Sequence, residues 1–129
     1  MLEAYSLNVE VGEDTAIPFN SVSVNKGCDE VLSSAATIEL NKKGAYMVTF
    51  DASLATAGTV QLFKDGIPQP QAQATGTNPS FSSIVQVGKN NCDCCCSIPV
   101  TIQIKNEGTA AATFTNCNIT VNKIKTCGR

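Results

Sequence analysis

The feature that most constrains the fold is a regular alternation of apolar and polar side chains. Between Gly44 and Leu54 the apolar residues occupy the even positions, and Met47 is the only large apolar residue on the other face. Similar alternation recurs over 98–105 and 111–125. A period of two places such side chains on one face of an extended strand, so the pattern predicts an all-β chain. The aromatic residues are expected in its core or in a subunit interface: Tyr5, Phe19, Tyr46, Phe50, Phe63, Phe81 and Phe114.

Turn sequences divide the chain into many short strands. Asp65-Gly66 predicts a two-residue hairpin, because a type I′ turn requires positive φ at both central residues. The polar stretch 69–76 is expected to be a loosely paired edge strand or a loop, and Pro68 and Pro70 suit an edge because proline cannot donate to a ladder. Many short strands at this spacing predict a β-sandwich or a β-barrel. Strands are predicted at 4–11, 15–24, 36–40, 44–56, 58–64, 67–75, 80–87, 98–105 and 111–125.

Length and charge restrict the class of protein. The 129 residues fit a single domain over 1–129, with no linker and no internal repeat. The net charge of −2 and the lack of a basic stripe argue against a nucleic-acid partner or a polybasic membrane contact. No apolar run is long enough to span a bilayer, and the first residues lack the pattern of a secretory signal. We therefore expect a product made in the cytoplasm without a signal peptide, with no nucleic-acid or membrane partner.

Residues for catalysis are scarce. Histidine is absent, which removes Ser-His and Cys-His pairs and histidine bases or ligands. Glycines stand singly at turns, with no phosphate-binding loop. The acidic pairs Glu13-Asp14 and Asp29-Glu30 are expected in solvated turns rather than in a catalytic dyad. We expect no catalytic residue, no cofactor and no dedicated metal site.

Cysteine is the one unusual constituent, with seven residues, four of them in the run Cys92-Asp-Cys94-Cys95-Cys96. We favour disulfide stapling of a surface loop. A thiolate metal site is less favoured, since no CxxC pair exists and adjacent cysteines rarely all point at one ion, although three protomers around an axis could share one. A redox thiol lacks a base or helix N-terminus to lower its pKa. Cytosolic proteins rarely keep disulfides, so a particle built in the cytoplasm and released into oxidising surroundings, such as a virion or spore, reconciles these features.

The order of several short motifs points to a known family. These motifs are Ile17-Pro-Phe19-Asn20, a strand beginning Gly44-x-Tyr46, Val60 to Gly66, Ser83 to Val87, Val100 to Gly108 and Asn118 to Ile124. Their order resembles the tumour-necrosis-factor-like family, which includes the globular heads of complement. The last two strands are most similar to bacterial spore-surface glycoprotein heads and to short phage-encoded relatives. The resemblance implies a TNF-like jelly-roll sandwich of two antiparallel sheets with about ten strands, and a compact homotrimer around a three-fold axis. The chain departs from that family in having no collagen tract and in having Cys117 where complement heads have a large aromatic residue.

In a jelly roll of this kind, successive strands run in alternate directions between two ends. The final strand is then expected to return to the end that carries the cysteine run. We predict that Cys127 pairs with a cysteine of that run, in the same protomer or the next. Cys28 is expected at the opposite end, free or bonded to another molecule. Cys117 is expected to be a buried free thiol, because it shares a face with apolar neighbours.

Taken together, these features favour a non-enzymatic structural or display protein on the surface of an assembled particle. The preferred role is a phage virion component, such as a capsid decoration protein or a fibre head. The alternatives are a spore-surface protein and a head module that binds a receptor or carbohydrate. The expected partners are two further copies of the chain and other structural proteins of the particle. In the last alternative, a cell-surface receptor or glycan is also a partner.

Overall fold

The computed structural model describes residues 1–26, 29–87 and 99–126, which form eleven strands and no helix. All the strand pairs are antiparallel. One sheet has five strands in the order β3-β1-β11-β6-β9, and the other has the order β4-β5-β10-β7-β8 with β2 paired to β10. The predicted all-β, two-sheet jelly roll is therefore confirmed. The strands are β1 (Leu2–Val11), β2 (Thr15–Ala16), β3 (Ser21–Asn25), β4 (Glu30–Ser34), β5 (Thr37–Leu40), β6 (Gly44–Leu54), β7 (Gly58–Lys64), β8 (Ile67–Gly76), β9 (Ser80–Val87), β10 (Val100–Asn106) and β11 (Ala112–Thr126).

The core lies between the two sheets and follows from the alternation in the sequence. The even-numbered residues of β6 point into it, and Tyr46 and Phe50 are fully buried there. The ring of Phe50 meets that of Phe19 edge to face, with centroids 6.3 Å apart. Ile104 of β10 and Ile119 of β11 bury the matching faces of their strands. Because large side chains from both sheets interdigitate, burial of this apolar surface is the main stabilising contribution.

The β7–β8 hairpin has the predicted turn. Asp65 and Gly66 both have positive φ, 51° and 81°, and Lys64 pairs directly with Ile67. Two central residues with positive φ are the hallmark of the type I′ turn, whose twist matches that of the flanking strands. β8, which carries the two prolines, lies at the edge of its sheet as predicted.

The prediction of one strand over 15–24 is wrong. The chain forms two separate strands there, β2 in one sheet and β3 in the other, and the residues between them belong to neither sheet. Pro18 lies in this interval and has no N–H to donate to a ladder. The Ser6 hydroxyl replaces ladder bonds here: it donates to the Pro18 carbonyl oxygen at 2.7 Å and accepts from the Asn20 amide at 2.7 Å. One buried side chain on β1 therefore holds the segment that passes from one sheet to the other.

The strand β4 was not predicted, and the expectation that Glu30 lies in a solvated turn is wrong. Glu30 begins β4, pairs with Leu40 of β5 and is only 1% exposed. Its Oε1 accepts a hydrogen bond of 2.9 Å from the N-terminal ammonium of Met1, which offsets the cost of burying the carboxylate. Because a charged residue occupies the first buried position of β4, the sequence does not show the alternation of apolar and polar residues that identifies a strand. By contrast, Glu13 and Asp14 lie in an exposed turn, as expected.

Candidate functional site

The outward surface of the five-stranded sheet is the broadest candidate interaction surface, and we call it the five-stranded face. Cross-strand pairing aligns its side chains in rows, one of which runs Tyr5, Asn118, Asp51 and Ser80 across β1, β11, β6 and β9. Asn and Thr occupy its centre because the core-facing positions of β11 are apolar and the alternate positions are polar. The face comprises Glu3, Tyr5, Leu7, Met47, Thr49, Asp51, Ser80, Ser82, Ile84, Asn116, Asn118, Thr120 and Asn122.

Two large apolar side chains stand exposed on this face. Leu7 on β1 is 63% exposed and Ile84 on β9 is 49% exposed. Ile84 pairs directly with Met47, so the two form an apolar spot at the β6–β9 edge. Single exposed apolar residues are ordinary, but several on one sheet face whose central strand presents uncharged side chains suit contact with another protein surface.

A shallow depression of about 450 Å³ lies between β1, β11 and β6 on the same face. Its rim carries the phenol of Tyr5, the carboxylate of Asp51 and the amides of Asn116 and Asn118. The Asn118 amide donates to Glu3 Oε2 at 3.5 Å, a contact at the limit of hydrogen bonding. The depression therefore offers donors and acceptors for polar groups rather than an enclosed site for chemistry.

Cys117 lies beneath this depression and is the single cysteine among the described residues. It is a free thiol with no exposed surface, on the same core-facing side of β11 as Ile119 and Val121. Its Sγ contacts the Ser6 carbonyl oxygen at 3.8 Å. Burial raises the pKa of the Cys117 thiol to about 11, so the thiol is uncharged and weakly nucleophilic at neutral pH. The cysteines Cys28, Cys92, Cys94, Cys95, Cys96 and Cys127 lie outside the described residues.

The described neighbours of these cysteines nevertheless locate one end of the sandwich. Val87, the last described residue before 88–98, and Thr126, the last before 127–129, both pair with Gly44 from opposite sides. β11 thus returns to the end where segment 88–98 begins, in agreement with the expected strand directions. The predicted pairing of Cys127 with the run stays a prediction.

The expectation that Cys28 lies at the opposite end is not supported by its neighbours. The Asp29 carbonyl oxygen accepts from the Asn41 amide at 2.8 Å, and its carboxylate lies 3.7 Å from Lys123 Nζ. These contacts place Asp29 at the end that includes Gly44 and Thr126. The reason is the strand β4: an additional strand before β5 reverses the direction in which the chain arrives.

A second cavity, of about 350 Å³, lies at the other end, between 55–58 and 106–113. It is lined by alanines, glycines and threonines, with Asn106 below them. Asn106 is 1% exposed, and its amide donates to the carbonyl oxygens of Val11 at 3.0 Å and Ala110 at 3.1 Å. Its Oδ1 accepts from the Gly108 amide at 3.0 Å. The sequence marks Asn106 as a turn residue only; the described contacts show that it organises two loops.

Within 1–26, 29–87 and 99–126, no group of three or more Cys, Asp or Glu side chains is arranged to hold a metal ion. The same ranges contain no helix of the length and apolarity needed to cross a membrane.

Comparison with known proteins shows what the fold is. No family model matches the chain, and no curated protein matches it. The globular domain of zebrafish complement 1qA superposes with a TM-score of 0.62 at 10% identity, over 92% of this chain and 94% of that one. Murine APRIL gives a TM-score of 0.62 at 12% identity, over 94% and 98% of the two chains. Eiger TNF from S. frugiperda gives 0.62 at 10% identity, over 99% and 95%. At these identities the similarity establishes the TNF-like and C1q-like jelly roll as the fold.

Proposed function

We propose that the chain is a non-enzymatic structural or display head that assembles as a homotrimer through its five-stranded face. The sequence resemblance implies a trimer around a three-fold axis, and the jelly-roll fold supports that resemblance. The observation that carries the proposal is the exposure of Leu7 and Ile84 on a face whose central strand presents uncharged Asn and Thr side chains. Contact between copies would remove both apolar side chains from water.

The size of the face suits such an interface. Five strands at their usual spacing are about 24 Å wide, and the length of β6 corresponds to about 35 Å. A face of roughly 800 Å² matches the area that each partner contributes to a standard protein interface. Asn116, Asn118 and Asn122 can hydrogen-bond across the interface, since each amide both donates and accepts. Apolar side chains and the amides of the central strand favour self-association, while the carboxylates of Glu3 and Asp51 on the same face would have to be paired or solvated in the interface.

The face is tested with Ile84→Lys and a matched control on the other sheet, Gln73→Lys, which adds the same charge at an exposed position of β8. Size-exclusion chromatography with light scattering measures the mass of each variant, and circular dichroism verifies its folding. We expect Ile84→Lys to weaken the trimer, because each interface would bury a lysine ammonium, while Gln73→Lys remains trimeric. Equal masses for the two folded variants would contradict the use of this face.

We further propose that the trimer decorates the surface of an assembled particle, with a phage virion as the preferred particle. A trimer matches the local three-fold positions of an icosahedral shell, and a jelly roll leaves few exposed strand edges. A cysteine-rich chain is also suited to a particle that is released into oxidising surroundings. Its partners there are other structural proteins of the particle.

Mass spectrometry and immunogold labelling of density-purified virions and spores from the encoding strain test this location. We expect the chain on intact virions. Its presence on spores alone would replace this proposal with the spore-surface alternative. Its absence from both, together with binding of the trimer to cell-surface receptors or glycans, would replace it with the recognition-head alternative.

A further inference from the structure

The loop between β10 and β11, residues 107–111, contains a buried carboxylate oxygen that has no hydrogen-bond donor. This oxygen is Oε2 of Glu107, the residue directly after β10. The Glu107 amide donates to the Thr59 carbonyl oxygen at 2.8 Å, which fixes the point where the side chain leaves the backbone. An ionised oxygen that is buried without a donor costs free energy, so a proton or another donor is needed beside Glu107.

Asp14, in the turn between β1 and β2, provides the group that faces Glu107. Its amide donates to the Asn106 carbonyl oxygen at 2.8 Å, so this turn lies directly against the start of the loop. The Asp14 backbone has a left-handed φ of 59°. Its carboxyl group lies within hydrogen-bonding distance of the Glu107 carboxyl group. Two ionised carboxylates offer only acceptors, so this contact is a hydrogen bond only when one of the two groups is protonated.

The Asn106 side chain keeps the two carboxyl groups close together. Its amide donates to the Gly12 carbonyl oxygen at 3.3 Å, in the turn that contains Asp14. It also donates to the Ala110 carbonyl oxygen at 3.1 Å, in the loop that begins with Glu107. Separation of the two carboxylates would strain these bonds, so their repulsion favours uptake of a proton instead.

The charges around the pair also favour a shared proton. Burial raises the pKa of Glu107, and the hydrogen bond and the negative charge of Asp14 raise it further. Lys105 of β10 opposes this shift of the pKa, but its Nζ lies over the Phe63 ring, 4.5 Å from the ring centroid. Glu13 precedes Asp14 in the turn and adds a further negative charge at this end of the sandwich.

The neighbouring loops offer no cation to the pair. Segments 55–58 and 76–79 contain no ionisable side chain. Among the residues that the structure describes, no group of three or more Cys, Asp or Glu side chains is arranged to hold a metal ion. A proton from solvent is therefore the donor that best fits these two carboxyl groups.

We propose that Asp14 and Glu107 share one proton, which makes their contact an acid-closed latch between the β1–β2 turn and the β10–β11 loop. With the proton, one carboxyl group donates to the other and the pair has a single negative charge. When the proton leaves to solvent, both groups are negative and repel each other. Because the pKa of Glu107 is raised in the folded chain, the latch is closed at acid pH and is lost as the pH rises through that pKa.

Release of the latch affects the cavity at this end of the sandwich. Gly108, Thr109 and Ala110 of the same loop line the cavity of about 350 Å³. A loop that is held at acid pH and loosened at higher pH makes access to this cavity dependent on pH. The latch does not involve the five-stranded face, so it is expected whether or not the chain forms a trimer.

Carbon-13 NMR of the side-chain carboxyl groups of the full chain, followed from acid to neutral pH, tests the shared proton. We expect Glu107 to titrate above its ordinary pKa of 4.5. In Asp14→Asn the new amide donates to the Glu107 carboxylate without a shared proton, so the pKa of Glu107 should fall. Glu10→Gln, which removes an exposed carboxylate of β1, is the control and should leave that pKa unchanged. Titration of Glu107 at its ordinary value in the parent, or no change in Asp14→Asn, would overturn the proposal.

Glu107→Gln tests whether the shared proton stabilises the fold, because its amide donates to Asp14 at every pH. Relative to this variant, the parent should lose folded chains as the pH rises, with the ratio of folded to unfolded chains falling about tenfold for each unit by which the pKa is raised. Urea denaturation at several pH values measures this ratio, and Glu10→Gln should keep the pH dependence of the parent. Identical pH dependence in Glu107→Gln and the parent would contradict the latch. Stabilisation of the parent by calcium chloride at neutral pH, absent in Glu107→Gln, would overturn the shared proton in favour of a bound cation.

Discussion

Gly44 pairs with Thr126 at a point where no side chain on residue 44 can be accommodated. Gly44 has φ of +145°, and a Cβ there would overlap the carbonyl oxygen of Lys125 and lie 2.9 Å from Lys123 Cε. The two strands approach closely here because β11 has an irregular register between Lys123 and Lys125. Residue 44 therefore has to be glycine, because only a residue without a Cβ lets β11 extend to the end of the sandwich where Val87 and Thr126 lie.

Replacing Gly44 with alanine should destabilise the fold substantially. The variant combines an unfavourable φ with a backbone overlap, so we expect the free energy of unfolding to fall by about 2–4 kcal/mol. Gly66→Ala is the matched control: Gly66 also has positive φ, but no atom lies within 4 Å of its added Cβ. It should lose only about 1 kcal/mol. Urea unfolding measures both, and equal losses would show that the overlap at residue 44 has no cost.

Asn106 should be one of the most sensitive polar residues. Its removal by Asn106→Ala leaves the carbonyl oxygens of Val11 and Ala110 and the amide of Gly108 without their partner. Unsatisfied buried groups are costly, so we expect a loss of about 2–4 kcal/mol in the free energy of unfolding.

Asn106→Asp separates the role of the amide from that of side-chain size. An ionised carboxylate cannot donate to the two carbonyl oxygens, so this variant should be at least as unstable as Asn106→Ala at neutral pH. Asn25→Ala, at an exposed position of β3, is the control and should change stability by no more than about 0.5 kcal/mol. A wild-type denaturation midpoint for Asn106→Asp would refute the assigned hydrogen bonds.

The fold should lose stability as the pH rises above about 9. Burial raises the pKa of Cys117 from 9.0 to about 11, and burial raises the pKa of Tyr46 from 10.0 to about 12. Between the two values of each pair, the unfolded chain has released a proton that the folded chain still holds, so increasing pH favours unfolding. Each group contributes a loss of roughly 3 kcal/mol once the pH exceeds its folded pKa.

Cys117→Ala isolates the first of these contributions. The variant should be less stable at pH 7, because it removes a buried sulfur, but its stability should fall less between pH 9 and 11 than that of the parent. Chemical denaturation at several pH values measures the difference, and the exposed groups common to both proteins cancel. Parallel curves for the two proteins would mean that the thiol titrates normally.

Residues with clear local patterns were predictable from the sequence. The even-numbered apolar residues of β6 and the Asp65-Gly66 turn identify their strand and hairpin, because side-chain period and turn chemistry are local properties. Segment 67–75 was placed correctly at a sheet edge from its prolines. These elements, with the order of motifs, were sufficient for the fold class.

Long-range pairing was not predictable in the same way. β4 was missed because its first buried residue is Glu30, whose charge is compensated by Met1, 29 positions away. Without β4, the expected strand directions put Cys28 at the opposite end of the sandwich from Asp29, the described residue that follows it. The role of Asn106 likewise depends on Val11, 95 residues away. The uncharged row of Asn and Thr side chains along the middle of the five-stranded face is recognisable only once β11 is known to lie between β1 and β6.

Native mass spectrometry of the full chain over a dilution series, with and without reductant, tests the proposed homotrimer. We expect a mass three times that of one chain, and the trimer should persist with reductant because its contacts are non-covalent. A monomer at all concentrations would contradict the proposed trimeric head. A trimer that dissociates into single chains on reduction would contradict the five-stranded face as its origin and place the cross-links between chains.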